Sequence, residues 1–367
     1  MSGRLGLVVL ASCALLLGCG PAEPLRVGFI GGLSDRNSDV GQAGHNGVVL
    51  AVEQINRAGG IRGRQVELIS RDDAQNRETA EKSARELAAA GVDAVIGPFT
   101  SSVAAAVVPV LAQSGTLLIS PTLTSMAFHG KDDNLVRINR TTRDNAGDYA
   151  RVLHERGQRR IAVAYDVRNR TFTESWLEEF RQAFTAIGGT LAAEVSYESS
   201  PDVDFGAVVA SMLKGRPDGL FYIAGAIDVA RLAQHSRRLA PSLPIGASEW
   251  AASEQLIELG GKVVEGLVIV QNYDRDDEAA RFREFREAYF RRFQKNPGYS
   301  SVSAYDAALV LFSALEKRTE GETVKAAVLH HGPYQGLQQR ISFDATGDTQ
   351  RKVFFTEIRD GRFVALK

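Results

Sequence analysis

Cysteine is nearly absent from this sequence: of 367 residues, only Cys13 and Cys19 carry a thiol. Both fall in the first 20 positions, so the rest of the chain has no disulfide, no thiol nucleophile and no Cys-based metal site. Net charge is scarce as well. Lys and Arg number 43 against 44 Asp and Glu, a balance of −1, which offers none of the basic excess that a nucleic-acid partner favours. Aromatic residues make up 8%, and beyond residue 20 no apolar run is long enough to span a bilayer. The six histidines do not cluster. His330-His331 close a predicted helix, where cationic side chains suit the dipole, so no metal and no cofactor is expected. Motifs of catalysis are missing too. Gly28-Phe29-Ile30-Gly31-Gly32 lacks GxGxxG spacing, and neither GxxxxGK[ST], HExxH nor GxSxG occurs. The acidic pairs Asp72-Asp73, Asp132-Asp133 and Asp276-Asp277 read as turn caps or solvated groups rather than paired acid and base. The chain is not expected to be an enzyme.

What is present begins with a leader. Arg4 precedes an apolar stretch from Leu5 to Leu17, too short to span a membrane and the right length for the core of an export signal. It ends in Leu16-Leu17-Gly18-Cys19, which resembles a bacterial lipobox, with cleavage after residue 18 and a lipid (palmitate among its acyl chains) on Cys19. The plainer alternative is an ordinary export signal with an incidental Cys. Either way the body is expected in the periplasm or at the cell surface, held to a membrane if Cys19 is acylated.

From Leu25 onward, short β-like runs alternate with amphipathic helices. Strands are predicted at Leu25–Ile30, Gln65–Ser70, Ala94–Ile96 and Leu117–Ile119, and helices at Asn46–Arg57, Arg77–Ala90 and Ser102–Gln113. The pattern restarts near residue 145: helix Asp144–Arg156, strand Arg160–Tyr165, helix Glu174–Ala186, strand Leu191–Val195, helix Phe205–Leu213, strand Gly219–Ile223. Such alternation means βαβ units and parallel sheets. The restart means two similar lobes. A strand at Val263–Val270, helices at Glu278–Phe293, Val302–Leu315 and Thr323–Leu329, and a β-rich tail are too few for a third sheet and should complete the first two.

Two polar loops stand out. Ile96-Gly97-Pro98-Phe99-Thr100-Ser101-Ser102 runs from a strand into a helix, where free N–H groups and the dipole favour an anion. Thr100 or Ser101 as a helix cap is the simpler account on spacing alone. Ser120-Pro121-Thr122-Leu123-Thr124 follows the next strand, and loops at adjacent strand ends converge on one crevice, which makes binding an equal alternative.

Five segments together resemble the leucine/isoleucine/valine-binding protein family of type I periplasmic binding proteins. They are Asn56-Arg57-Ala58-Gly59-Gly60-Ile61-Arg62-Gly63, Asp72-Asp73, the Ile96–Ser102 run, Ile119-Ser120-Pro121 and Ala304-Tyr305-Asp306-Ala307-Ala308, in family order over Leu25–Lys367. The resemblance implies an α/β fold of two Rossmann-like lobes with parallel sheets, joined by a three-strand hinge. Lobe 1 would span 25–142 plus 273–339 and lobe 2 143–272 plus 340–367, after a signal peptide at 1–18. Crossovers are expected near Thr141–Arg143, Gln271–Tyr273 and Gln338–Ile341. The resemblance further implies a monomer that captures a small molecule, a hydrophobic amino acid first, by hinge closure and delivers it to the permease of an ABC transporter. Ser101 would take the ligand carboxylate, with Phe99 and Thr100 lining the pocket and Thr122 and Thr124 touching carboxylate and ammonium. Glu249 would receive the ammonium from lobe 2, Phe172 would cover the ligand, and Tyr299 or Ser300 would form an aromatic wall. The chain departs from the family in three places, one being the absence of the half-cystine that some members carry near Thr100. Asp39-Val40 stands where better-known members carry an aromatic residue, and no ring occupies the position near Ala226, although Asp228 and Trp250 are close in sequence. A sensory lipoprotein for a small carboxylate or aromatic acid is the rival reading, with an α/β enzyme behind it.

Overall fold

The computed structural model describes residues 23–34 and 38–366. The expected export signal and Cys19 lie outside the described residues. The first lobe is laid down by β1 (Leu25–Gly31), α1 (Asp39–Arg57), β2 (Val66–Asp72), α2 (Arg77–Ala89), β3 (Ala94–Ile96), α3 (Ser101–Ser114), β4 (Leu117–Ser120) and β5 (Leu135–Arg137). Its sheet is parallel throughout, in the order β2-β1-β3-β4-β5. Both faces are covered, so the central strands are continuous apolar runs: Val27, Phe29 and Ile30 of β1 and all of β3 are fully buried. Chain order reverses between β1 and β3, and such a switch point opens a crevice beyond the strand C-termini.

The second lobe follows with α4 (Thr142–Glu155), β6 (Arg160–Asp166), α5 (Arg170–Ala186), β7 (Thr190–Tyr197), α6 (Phe205–Leu213), β8 (Gly219–Ile223), α7 (Ala226–Leu239), β9 (Ile245–Ala247), α8 (Glu254–Gly260) and β10 (Val268–Gln271). The chain then returns to the first lobe through α9 (Ala280–Phe293), α10 (Tyr299–Lys317), α11 (Val324–His330) and the hairpin β11 (Tyr334–Gln335) and β12 (Arg340–Ile341). It ends in β13 (Phe354–Arg359) and β14 (Arg362–Ala365). These two strands add antiparallel to an otherwise parallel second sheet, β14-β13-β10-β9-β8-β6-β7. The late elements thus complete the two earlier sheets. Among the described residues no helix is long and apolar enough to cross a membrane.

Several elements differ from the sequence reading. Helix α1 begins seven residues early, at Asp39, and α5 begins at Arg170 rather than Glu174. Strand β10 starts only at Val268: Val263 lies in a 3-10 turn, and Gly266, at φ +76°, breaks any extended run there. Strand β5 has no counterpart in the sequence pattern. It is short, and its Arg137 disguises a buried position that is satisfied by an ion pair with Asp348. The third crossover comes later than Gln338–Ile341. The intervening segment is still tied to the first lobe, by Arg137 on Asp348 and by Arg351 on Asp306 of α10 at 2.8 Å.

Candidate functional site

Strand β3 ends against Gly97, whose φ of +122° suits glycine; a Cβ there would lie 1.9 Å from the Ile30 carbonyl oxygen. The chain leaves the sheet here in extended form, with Thr100 at φ −122°, ψ 140°, so alternate side chains face opposite ways. Phe99 and Ser101 turn into the interlobe cleft, while Thr100 turns into a neighbouring hollow that it shares with Ser102. Thr100 occupies the N-cap of α3 without a side-chain capping bond. The β4 loop is fastened to this segment. Ser120 Oγ donates to the Pro98 carbonyl and Thr122 Oγ1 to the Phe99 carbonyl, both at 2.8 Å. Thr122 lines the cleft, but its hydroxyl proton is already committed to the backbone. From behind, the buried Arg137 donates to the Ser125 carbonyl at 2.9 Å and to Asp348 Oδ1 at 2.7 Å, which fixes the loop carrying Thr124.

The opposite wall comes from α5. Phe172, Trp176 and Phe180 recur every four residues, so one helical face carries all three rings. Trp176 stacks on Phe221 of β8 at 4.7 Å between centroids, and Phe180 on Phe221 at 5.2 Å. The packed indole holds its N–H in a fixed direction, and Trp176 Nε1 donates to Glu249 Oε2 at 2.9 Å. Glu249, just beyond β9, also accepts at Oε1 from Asn145 Nδ2 at 3.0 Å and from Thr124 Oγ1 at 3.4 Å. Burial pushes the Glu249 pKa up, and these hydrogen bonds oppose the rise. All three donors are neutral, and the Arg140 charge nearby also opposes the rise. Arg140, the nearby cation, spends its guanidinium on Asn145 Oδ1 at 2.7 Å and on Asp148 at 2.5 Å.

Phe172 meets Trp250 edge to face, 5.9 Å between centroids. The Trp250 ring would lie 3.6 Å from a Cβ on Gly225, so this indole occupies the side of α7 where Ala226 offers no ring. Tyr299, in the first turn of α10, also faces the cleft, and its hydroxyl lies 3.5 Å from the Trp250 carbonyl oxygen. Ser300 does not face it. Its hydroxyl donates to the Val40 carbonyl within the first lobe.

The cleft lies between the lobes, and its empty space of about 620 Å³ includes volume open to solvent. Of the eight residues expected to bind ligand, Phe99, Ser101, Thr122, Thr124, Phe172, Glu249 and Tyr299 line it, and Thr100 does not. The sequence reading missed the hinge side. There Asn139 and Arg140 lie on the first crossover, Gln271 and Asn272 on the second and Arg351 on the third. A polar residue closing the apolar run Val268-Ile269-Val270-Gln271 was the one legible signal among them.

The lobes are closed on each other. Ser102 N donates to Asn169 Oδ1 and Thr171 N to Ser102 Oγ, both at 3.1 Å. Ser125 Oγ donates to the Thr171 carbonyl at 2.6 Å and Met126 N to Ser175 Oγ at 3.1 Å. Asp39, one of the positions where the chain departs from the resemblance, accepts from Ser253 Oγ of the other lobe at 2.7 Å, and burial raises its pKa.

Residues outside the cleft keep plain roles. Asp72 accepts N–H bonds from Leu33 and Ala74, Asp277 from Ala279, all at 2.8 Å, and both His330 and His331 contact Glu322. Among the described residues no group of three or more His, Cys, Asp or Glu side chains could hold a metal ion.

Known proteins share this fold. A family described as "Periplasmic binding protein" matches residues 24–362. A Leu/Ile/Val-binding protein homologue of Brucella melitensis is 25% identical over 355 residues, covering 94% of each chain. A leucine-binding protein of Thermotoga maritima, solved as a crystal structure, superposes with a TM-score of 0.86 at 23% identity, over 94% of this chain and 98% of that one. A solute-binding protein of an R. palustris ABC transporter, solved in complex with benzoate, gives a TM-score of 0.83 at 18% identity, over 94% of this chain and 95% of that one.

Proposed function

The chain belongs to the periplasmic binding protein family, and from that premise we propose that it captures an amino acid between its lobes and presents it, closed, to the permease of an ABC transporter. The single observation that carries this reading is Glu249. It is a buried carboxylate on the cleft wall, and its hydrogen-bond donors among the described residues are neutral. A buried charge with no cation bonded to it is costly, and a ligand ammonium supplies a direct partner where Arg140 acts only through its field. Across the cleft, the amino end of α3 with Ser101 and the loop of Thr124 suits the ligand carboxylate, because helix N-termini favour anions. Phe99, Phe172, Trp250 and Tyr299 enclose the apolar part of the ligand. Names such as the Leu/Ile/Val-binding homologue of Brucella melitensis and the leucine-binding protein of Thermotoga maritima agree with an amino acid.

Closure is the output. Ligand adds contacts on Glu249 and Phe172 that exist only when the lobes meet, so it selects the closed form. The protein acts outside the cytoplasmic membrane, with the lipid on Cys19 as its anchor and the docked permease as its partner. The cycle contains no catalytic step. A benzoate-like acid is the second reading, favoured by the aromatic walls and by the R. palustris relative in structure. It leaves Glu249 without a directly bonded cation. A thermal-shift screen of protein lacking residues 1–18 separates the two, because ligand that binds the native state raises the Tm. An L-amino acid should give the largest rise. A larger rise from benzoate than from every amino acid would overturn the reading.

A further inference from the structure

The hinge side of the cleft has chemistry that an aliphatic side chain does not use. All three crossovers place a polar side chain there, and two of them are buried with unanswered hydrogen-bonding atoms. Gln271, fully buried at the end of β10, has no hydrogen-bond partner among the described residues for either its amide oxygen or its amide nitrogen. Arg351, 6% exposed, gives Nη2 to Asp306 Oδ2 at 2.8 Å, while its Nε and Nη1 have no partner among the described residues. Beside Gln271, Asn272 donates through Nδ2 to Asn139 and Ser303, at 3.0 and 2.8 Å, and its Oδ1 has no partner among the described residues. All three residues line the same cleft as Glu249. Buried polar atoms are normally paired, and each exception calls for an explanation.

We propose that this hinge-side cluster of Arg351, Gln271 and Asn272 is a second polar subsite that takes a carboxamide at the far end of the ligand, so that the amino acid carried is one with an amide side chain. The inference rests on the amino-acid reading above and narrows it. The inventory of free atoms selects the group. Arg351 Nε and Nη1 and the Gln271 nitrogen are donors; Gln271 Oε1 and Asn272 Oδ1 are acceptors. A terminal methyl group answers neither set. A carboxylate answers the donors only and faces two acceptor oxygens, and the charge of Arg351 is already matched by Asp306. An ammonium answers the acceptors only and faces a guanidinium. A carboxamide has an acceptor oxygen and a donor NH2 in one plane, so it answers both sets without bringing charge. The remaining walls agree, since the Phe172 and Trp250 rings pack against the methylene part of such a ligand as readily as against a branched one.

The test is calorimetric titration of protein lacking residues 1–18 with L-asparagine and L-glutamine, their apolar counterparts L-leucine and L-methionine, and L-aspartate and L-glutamate. One of the two amides should bind about tenfold or more tighter than its apolar and its anionic counterparts, the range expected when buried donors and acceptors are left unmatched. Gln271→Met, neutral for neutral and of similar size, should remove most of that preference. If leucine or methionine binds wild type as tightly as the amides, water alone satisfies the hinge cluster and the proposal falls, while the amino-acid reading stands. The proposal falls in the same way if Gln271→Met keeps the full amide preference. If none of the six amino acids binds, this proposal falls, and the thermal-shift screen across the remaining amino acids decides the amino-acid reading.

Discussion

Replacing Glu249 with Gln removes one charge and nearly keeps the shape of the side chain, so it isolates what that charge does for the ligand. In the structure Oε2 accepts from Trp176 Nε1 at 2.9 Å, and Oε1 accepts from Asn145 at 3.0 Å and Thr124 at 3.4 Å. A charged hydrogen bond to a ligand ammonium contributes about 1.5–3 kcal/mol, so Glu249→Gln should weaken amino-acid binding about 10- to 150-fold. The variant also turns an amide N–H2 towards one of the existing donors. That local mismatch affects every ligand alike, and a second ligand removes it from the comparison. Calorimetry with wild type and variant, each against the amino acid and its deaminated analogue, yields the coupling between Glu249 and the amino group. The analogue should lose several-fold less than the amino acid. Acid should mimic the mutation: Glu249 is protonated as pH falls through its raised pKa, so wild-type affinity for the amino acid drops there while that of the variant does not. Equal losses for both ligands would refute the reasoning, because Glu249 would then act only on the shape of the cleft.

Ser102→Ala removes the oxygen that accepts from Thr171 N across the closed lobes; losing about 0.5–1.5 kcal/mol of closure should speed ligand release about 2- to 12-fold in stopped-flow fluorescence, and an unchanged rate would mean that this contact does not report closure. Asp166 is buried, and burial, reinforced by the charge of Asp228, raises its pKa from 3.8 to about 6. An acid with a raised native pKa holds its proton longer folded than unfolded, so stability falls as pH rises from about 4 to about 6, by about 3 kcal/mol from this group. Asp166→Asn should flatten that stretch in urea unfolding at pH 4, 5 and 6, and an unaltered slope would contradict the assignment. Cys19→Ser should abolish incorporation of labelled palmitate, whereas labelling that persists would place the lipid elsewhere.

The architecture was legible because its signals are local. Alternating apolar runs and helices, and a restart near residue 145, suffice for two parallel-sheet lobes, and the Ile96–Ser102 and Ser120–Thr124 loops fall where strand ends converge. Glu249 was legible only through the family resemblance. Its supporting donors were not, because Asn145, Trp176 and Thr124 are far apart in sequence and meet only when α4, α5 and the β4 loop fold together. The hinge cluster was hidden for the same reason: Arg351 looks like any tail residue until Asp306, 45 positions earlier, pairs with it. Thr100 shows the opposite limit. One residue of extended chain separates it from Phe99 and Ser101, and that single step turns its side chain out of the cleft.

A crystal structure of protein lacking residues 1–18, bound to the amino acid that raises its Tm most, tests the central claim directly. The account predicts a ligand between the lobes, its amino nitrogen about 3 Å from the Glu249 carboxylate and its carboxylate at the amino end of α3 beside Ser101. A ligand seated outside the cleft, or one that turns its carboxylate towards Glu249, would contradict it.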